Sequence, residues 1–144
     1  MILSRGCEYA IRASIYVAAH DEEGFVPIHV IGSELGVSGH FLTKILQQLT
    51  QAGIMKSHRG PSGGVSLARP ASKIALHEIV VAIDGAALFS ECLLGLPSCS
   101  DGNPCPLHEK WSRTRGQLTK TFRSTSLESL AQMVRKDALR LSAH

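Results

Sequence analysis

The sequence predicts a mainly α-helical protein with a single small β-hairpin. Three observations predict this class: apolar residues recur at helical spacing along much of the chain, two short strand-like segments flank one Gly/Pro turn, and residues 106–144 carry a narrow apolar stripe. With 144 residues, 44% of them hydrophobic, the chain can bury one ordinary core. No apolar run approaches the ~20 residues that span a bilayer, and the N-terminal sequence lacks a leader pattern. We therefore expect a cytoplasmic protein.

Two helices joined by a tight turn are predicted between residues 28 and 53. In the first helix, Ile31 and Leu35 lie one turn apart, and Gly36 follows where a left-handed residue would end the helix. Ser38 is a suitable N-cap for the second helix. Apolar residues recur at spacings of three and four along that second helix, at Phe41, Leu42, Ile45, Leu46 and Leu49. An ordinary helical hairpin would show the same apolar pattern, so the polar face must decide between the alternatives.

The outward face of the second helix carries side chains suited to the edges of DNA bases. Lysine donates to guanine acceptors, glutamine pairs with adenine, and the methyl group of threonine meets that of thymine. Helix-turn-helix proteins recognise sequence by presenting such a helix to the major groove. The DNA contacts predicted from this helix are Ser38, His40, Thr43, Lys44 and Gln48.

A β-hairpin is predicted directly after these helices. Residues 54–59 and 65–68 have strand character, and the glycines and proline between them predict a turn longer than two residues. Arg59 and Ser62 lie at the tip of this wing, and we expect them to contact phosphates or the minor groove. The order helix, turn, helix, hairpin predicts a winged helix-turn-helix DNA-binding domain over residues 1–85.

The charge distribution supports a DNA-binding face. The net charge is only +3, but residues 35–77 contain five Lys or Arg and no acid. The flanking blocks 1–34, 78–109 and 110–144 have net charges of −3, −5 and +6. A long acid-free segment suits a polyanion because each Lys or Arg brought to a phosphate releases counterions. A solvated basic face is the commoner cause of a charge run, and charge alone leaves that alternative open.

A Gly/Pro/Ser-rich loop over residues 86–105 contains three of the four cysteines. The spacing C-x6-C-x5-C-x2-H runs from Cys92 through Cys99 and Cys105 to His108. Such a concentration of thiols in a cytoplasmic protein indicates a metal-binding loop, and the lack of a C-x2-C pair favours an iron–sulfur cluster over structural zinc.

Three cysteines leave one ligand of a cluster to be found. One candidate is His108, in the first turn of the following helix, and the other is Glu8, which would reach the loop from a partner subunit. The fourth cysteine, Cys7, lies in the first turn of a helix capped by Ser4, where the helix dipole lowers a thiol pKa. A small core residue is the more ordinary role for Cys7.

Residues 106–144 predict a dimerisation helix followed by a C-terminal helix. A long helix with a narrow apolar stripe calls for a partner helix, and helix-turn-helix proteins commonly dimerise to set the spacing of their half-sites. Thr125 and Glu128 predict a capping box for the last helix, over residues 126–141. The residues predicted at the dimer interface are Leu107, Trp111, Leu118 and Phe122, with Thr114 on the same stripe.

These residues resemble the Rrf-two (Rrf2) family of bacterial winged-helix transcription regulators, which includes IscR-, NsrR- and CymR-like members. The resemblance covers nearly the whole chain, and its most specific part is the wing together with the three cysteines. The residues that carry it are Glu8-Tyr9-Ala10-Ile11, the wing Arg59-Gly60-Pro61-Ser62-Gly63-Gly64-Val65-Ser66-Leu67-Ala68, and Cys92, Cys99 and Cys105 with Pro106-Leu107-His108 and Trp111.

The resemblance implies a homodimer that binds a palindromic operator in double-stranded DNA, with an iron–sulfur cluster near the dimer interface. A [2Fe–2S] cluster is favoured and [4Fe–4S] is the alternative. IscR-like members take the fourth ligand from a histidine after the third cysteine and NsrR-like members from an acidic residue of the partner, and His108 and Glu8 match these two patterns. The chain departs from the family at Val65, where tyrosine is usual, at Thr43, where IscR-like members have an acid, and in a first cysteine gap of six residues where five is common.

The predicted function is a homodimeric transcription regulator that senses redox state, nitric oxide or iron–sulfur status through its cluster. One alternative keeps DNA binding but replaces the cluster with thiol oxidation or a partner protein as the signal. Another is a small iron–sulfur or redox carrier that uses its helices as scaffold. An enzyme is not expected, because the sequence has no C-x-x-C redox pair, no nucleophile with an evident base and no phosphate-binding loop.

Overall fold

The computed structural model describes residues 2–143, which form seven α-helices and one two-stranded antiparallel sheet. Short 3-10 turns occur at Asp21–Glu23 and Ala71–Lys73. In the described part of the chain, no helix is long and apolar enough to cross a membrane. The predicted class, mainly α with a small β wing, is confirmed. In chain order the elements are α1 (Arg5–Ala19), α2 (Ile28–Leu35), α3 (Gly39–Gln51), β1 (Met55–His58), β2 (Gly64–Leu67), α4 (Leu76–Asp84), α5 (Ala87–Ser90), α6 (His108–Ser124) and α7 (Leu127–Asp137).

The helix-turn-helix begins and ends at the residues that its caps predict. Helix α2 ends at Gly36, whose φ of 69° is the left-handed conformation that glycine adopts without strain. Ser38 caps α3 by accepting a hydrogen bond from the backbone N–H of Phe41 at 3.3 Å. The turn leaves little room at Gly32, where a Cβ atom would lie 3.0 Å from the carbonyl oxygen of Val37. The small residue at this crossing therefore lets the two helices approach each other.

The core surrounds α1, which packs against α2, α3, α4, α7 and β2. Helix α7 buries Leu127 and Ala131 in this same core. The C-terminal helix thus belongs structurally to the winged domain, although α6 lies between them in sequence. The largest fully buried side chains are Ile31, Leu42, Leu49, Ile54, Met55, Ile74, Ile79, Leu127, Val17, Val26, Val65 and Val80.

The wing is a four-residue pairing of β1 with β2, from Met55 opposite Leu67 to His58 opposite Gly64. An isolated bridge between Val26 and Val65 joins β2 of the wing to the segment before α2. The predicted hairpin is therefore confirmed, with its turn between residues 59 and 63.

The start of α7 differs from the prediction. Ser126, rather than Thr125, caps the helix by accepting from the backbone N–H of Ser129 at 3.2 Å. The carboxylate of Glu128 accepts hydrogen bonds from Gln132 and Arg135, so the predicted capping box is wrong. The helix ends at Asp137, before Ala138 with a φ of 52°, and not near residue 141.

Candidate functional site

The polar face of α3 is accessible along the whole helix. His40, Lys44 and Gln48 are exposed, and Ser38 is exposed at the cap. Thr43 is half-buried, and its hydroxyl donates to the carbonyl of Gly39 at 2.7 Å. All five residues that the sequence predicts for major-groove contact therefore lie on, or at the start of, the face of α3 that is opposite its buried face.

The turn of the wing presents the two other predicted DNA contacts. Arg59 and Ser62 are both exposed, and the backbone N–H of Gly63 closes the turn on the carbonyl of Gly60 at 3.0 Å. At the end of β1, the ring of His58 stacks on Phe25 with centroids 4.6 Å apart. This stacking fixes the strand from which Arg59 emerges.

An open groove of about 800 Å³ separates α3 from the wing. Thr43 and Arg59, both predicted DNA contacts, lie on opposite sides of it. His29, Gln47 and Gln51 also line the groove and are absent from the predicted set. The two glutamines could have been predicted from the sequence, because Gln47 and Gln51 follow Thr43 at intervals of four and so lie on the same face of the helix.

The three loop cysteines converge. Their Sγ atoms all lie within 4.8 Å of one another, and those of Cys92 and Cys105 are 3.6 Å apart. Cys92 comes two residues after α5, and Cys105 comes three residues before α6. The backbone carbonyl oxygen of Cys105 accepts a hydrogen bond from the backbone N–H of His108 at 3.0 Å. The two helices that flank the loop therefore bring its ends together.

His108 lies against this thiol group. Its Nδ1 atom is 3.4 Å from the Sγ of Cys99, while its Nε2 atom is 2.8 Å from a carboxylate oxygen of Asp101. Asp101 was not predicted, and nothing in the sequence pairs it with His108. Glu8 is exposed on the first turn of α1 and is not a member of the thiol group in the described chain. A role for Glu8 from a partner subunit stays a prediction.

The loop thiols differ in acidity. Backbone hydrogen bonds with Leu96 and Leu94, aided by the neighbouring Cys105 thiol, lower the pKa of Cys92 to about 7 against the opposing effect of burial. A backbone hydrogen bond from Cys105 acts to lower the pKa of Cys99, but burial and the adjacent thiols outweigh it and raise that pKa. Cys92 is therefore the more readily ionised of these two thiols.

Helix α6 packs over α5 and the start of the loop. The indole Nε1–H of Trp111 donates to the carbonyl of Glu91 at 2.9 Å, and the guanidinium of Arg115 donates to the same oxygen at 2.9 Å. Phe122 meets Phe89 of α5 with ring centroids 5.4 Å apart. Two members of the predicted dimer stripe thus have partners within their own chain.

Helix α6 nevertheless has no buried residue within a single chain. Leu107 and Leu118, the remaining members of the predicted stripe, are half-buried. Their contact with a second subunit stays a prediction.

A helix-turn-helix with a β wing, followed by a cysteine loop and a long helix, defines a winged-helix transcription regulator. The family model described as "Rrf2: Iron-dependent Transcriptional regulator" matches residues 3–133, and the chain belongs to this family. The resemblance drawn from the sequence is confirmed.

Similar proteins agree with this assignment. The chain is 34% identical over 129 residues to the HTH-type transcriptional regulator IscR of Photorhabdus laumondii, covering 90% of this chain and 77% of that one. It is also 34% identical over 131 residues to IscR of Xenorhabdus nematophila, covering 91% and 79%. Among solved structures, CymR, the global cysteine regulator of B. subtilis, matches with a TM-score of 0.78 and 27% identity over 90% of this chain and 95% of that one. IscR of T. potens matches with a TM-score of 0.71 and 26% identity over 95% and 88%.

Proposed function

We propose that this protein is a cytoplasmic, homodimeric transcription regulator that senses redox state, nitric oxide or iron–sulfur status through a cysteine-ligated cluster. The observation that carries the proposal is the convergence of the three thiols of the loop between α5 and α6 with an imidazole nitrogen of His108, at the start of α6. The IscR-named relatives support the same function.

The donor set fits a tetrahedral metal centre. With metal–sulfur bonds of about 2.3 Å and metal–nitrogen bonds of about 2.0 Å, two ligands of one metal lie about 3.8 Å apart if both are sulfur and about 3.5 Å apart if one is nitrogen. The Cys92–Cys105 distance of 3.6 Å and the Cys99–His108 distance of 3.4 Å match these two values. A [2Fe–2S] cluster needs two ligands at each iron. We propose that the two pairs supply the ligands of a [2Fe–2S] cluster, with His108 rather than Glu8 as the fourth ligand.

When bound, the cluster supplies a redox-active and nitric-oxide-reactive centre whose loss frees the loop. The chain then offers a route from the loop to the DNA-binding face. Phe89 of α5 contacts Phe122 of α6 and also the ring of His77 of α4 at 4.4 Å, and α4 packs on α3. Ordering of the loop between Gly85 and Pro106 would bias the spacing of the two recognition helices in a dimer, which is an allosteric coupling.

Anaerobic purification tests the proposal. We expect a coloured protein with equal amounts of iron and acid-labile sulfide, and a change in affinity for duplex operator DNA when the cluster is removed. The His108→Ala variant should bind the cluster weakly, and Glu8→Ala should not differ from the wild type. A colourless protein with stoichiometric zinc, unchanged on anaerobic reconstitution, would contradict the cluster. A protein that holds a cluster but shows no salt-dependent binding to DNA would instead be a carrier.

A cluster-free thiol sensor is the second candidate. The 3.6 Å approach of the Cys92 and Cys105 sulfurs and the low pKa of Cys92 favour it, since a thiolate is the reactive form of cysteine. Hydrogen peroxide would oxidise the two thiols to one disulfide and be reduced to two waters. Mass spectrometry of the iron-free protein would detect the loss of two hydrogen atoms, reversible by a dithiol. This result in a protein that never binds iron would favour the second candidate.

A further inference from the structure

A tight turn stands between the second and third loop cysteines. The backbones of Ser100 and Asn103 exchange two hydrogen bonds, at 3.0 and 3.3 Å, around the dipeptide Asp101-Gly102. Asp101 and Gly102 occupy the two central positions of this turn, and neither residue has a positive φ. The turn therefore fixes the backbone position of Asp101 relative to Cys99.

The side chain of Asp101 reaches back to the ring of His108. The Oδ1 atom lies 2.8 Å from Nε2, and the two side chains differ sharply in exposure, 14% for His108 and 103% for Asp101. The imidazole is thus enclosed by the loop, while the carboxylate is reached by solvent. The opposite ring nitrogen, Nδ1, faces the thiol of Cys99 at 3.4 Å.

We infer that Asp101 is a positioning residue for the fourth ligand of the site. Its carboxylate accepts the Nε2–H proton of His108, which leaves the lone pair of Nδ1 directed at the thiol group. Metal-bound histidines commonly donate their second ring N–H to a carboxylate, which fixes the tautomer and ring orientation. This inference rests on the proposed function, because it assigns Asp101 a role toward the same site.

Removal of the carboxylate tests the inference in the cluster-loaded protein. Loss of such an outer partner typically weakens a site by about 10–100-fold, so Asp101→Ala should release its cluster to a chelator faster by a factor in that range. Asp101→Asn keeps an oxygen acceptor without charge and should lie between Asp101→Ala and the wild type. Glu91→Ala, which removes a charge from the same loop, is the control and should match the wild type. The nitrogen hyperfine coupling of the reduced cluster should change in Asp101→Ala and not in Glu91→Ala.

The double variant with His108→Ala separates positioning of the ring from support of the turn. If Asp101 acts through His108, Asp101→Ala adds nothing to the release rate once the imidazole is gone. Equal acceleration in the presence and absence of His108 would overturn the inference and assign Asp101 to the turn alone.

The metal-free protein provides a test that does not depend on the cluster. The ¹⁵N chemical shifts of the His108 ring should differ between the wild type and Asp101→Ala, and should be the same in the wild type and Glu91→Ala. Identical ring shifts in the wild type and Asp101→Ala would overturn the inference even if the protein binds a cluster. A wild type that binds no cluster but shows the expected shift difference would contradict the proposed function and leave the contact between Asp101 and His108 established.

Discussion

Gly64 is buried where the wing meets the segment that leads into α2. A Cβ atom at this position would lie 2.1 Å from the carbonyl oxygen of Val26 and 2.5 Å from its carbonyl carbon. Both atoms belong to backbone that the Val26–Val65 bridge holds in place, so a side chain can enter only if the wing moves. Glycine is therefore required at this position because the backbone of Val26 leaves no room for a Cβ atom.

The Gly64→Ala variant should be destabilised. Overpacking of this kind costs about 1–3 kcal/mol, which urea unfolding followed by circular dichroism would measure as a lower midpoint. Gly116→Ala is the matched control, because a Cβ atom in the middle of α6 meets nothing within 4 Å. Alanine there should stabilise the helix by about 0.5–1 kcal/mol. Equal midpoints for Gly64→Ala and the wild type would contradict the close contact between Gly64 and the backbone of Val26.

Cys7 illustrates how a tertiary contact overrides a local electrostatic argument. Its position at a helix N-terminus predicts an acidic thiol, but the carboxylate of Asp84 accepts from the backbone N–H of Ser4 at 2.9 Å and from its hydroxyl, and so occupies this N-terminus. Burial first, and then the negative charge of Asp84, raise the pKa of Cys7 to about 12. Cys7 is fully buried, so its role is that of a core residue.

Alkylation should therefore spare Cys7. At pH 8 a thiol with a raised pKa is almost entirely protonated, and the thiolate is the form that reacts. Iodoacetamide treatment of the folded, metal-free protein should modify the half-buried loop cysteines, Cys92 faster than Cys99, and leave the fully buried Cys7 intact, as read by peptide mass spectrometry. In urea, all four cysteines should react. Modification of Cys7 in the folded protein at the rate of the loop cysteines would contradict the burial described.

At the scale of elements, α3 and the wing were predictable because their signals are local. The cap at Ser38, the left-handed Gly36 and the three-four spacing of the α3 core residues each depend on a few neighbouring positions. The start of α7 was not predictable in this way. Glu128 satisfies a capping-box pattern with Thr125, yet it has competing donors in Gln132 and Arg135 that only the folded helix brings near.

The α3 face should govern affinity for DNA. Lys44 is exposed in the middle of this face, and loss of a base-reading lysine costs about 1–3 kcal/mol. Fluorescence anisotropy with operator DNA should show weaker binding by Lys44→Ala by roughly that amount. Lys110→Ala, on the exposed start of α6, is the control for lost charge and should bind like the wild type. Equal losses in both variants would mean that charge, and not position on α3, determines affinity.

The wing should contribute through phosphates. Arg59→Ala should weaken binding to all sequences alike and should reduce the slope of log affinity against log salt by about 1. The same anisotropy titrations, repeated at several salt concentrations, give this slope. Loss of discrimination between operator and random DNA, with no change in slope, would instead indicate that Arg59 reads bases.

At the scale of the whole molecule, the sequence predicts the parts better than their assembly. The spacing of the three cysteines indicated a metal loop, and the structure brings those thiols together. The carboxylate that contacts His108 was missed because Asp101 and His108 meet only after the loop folds back on α6. The stripe of α6 was found by its period, yet that period does not show that Trp111 and Phe122 contact α5 of their own chain.

Because α6 has no buried residue in a single chain, we expect a second subunit to pack against it. Apolar side chains that are only half-buried in one chain gain free energy when a second subunit removes them from water. Leu118 lies near the middle of α6, away from the loop, and charge at this position would be buried without a partner in a dimer. We therefore expect the wild type to have twice the 15.5 kDa mass of one chain.

Leu118→Glu should shift the protein to monomer, as measured by light scattering. Thr114→Glu, on the same stripe but exposed in the single chain, should do the same with less risk to folding. Leu139→Glu is the control, because Leu139 is 54% exposed beyond α7 and should leave the dimer intact. Because a dimer binds two half-sites at once, the monomeric variants should bind operator DNA roughly a hundredfold or more weakly. If Leu118→Glu and Thr114→Glu both stay dimeric, the subunits associate through another surface, and the spacing of the two recognition helices is then set by something other than α6.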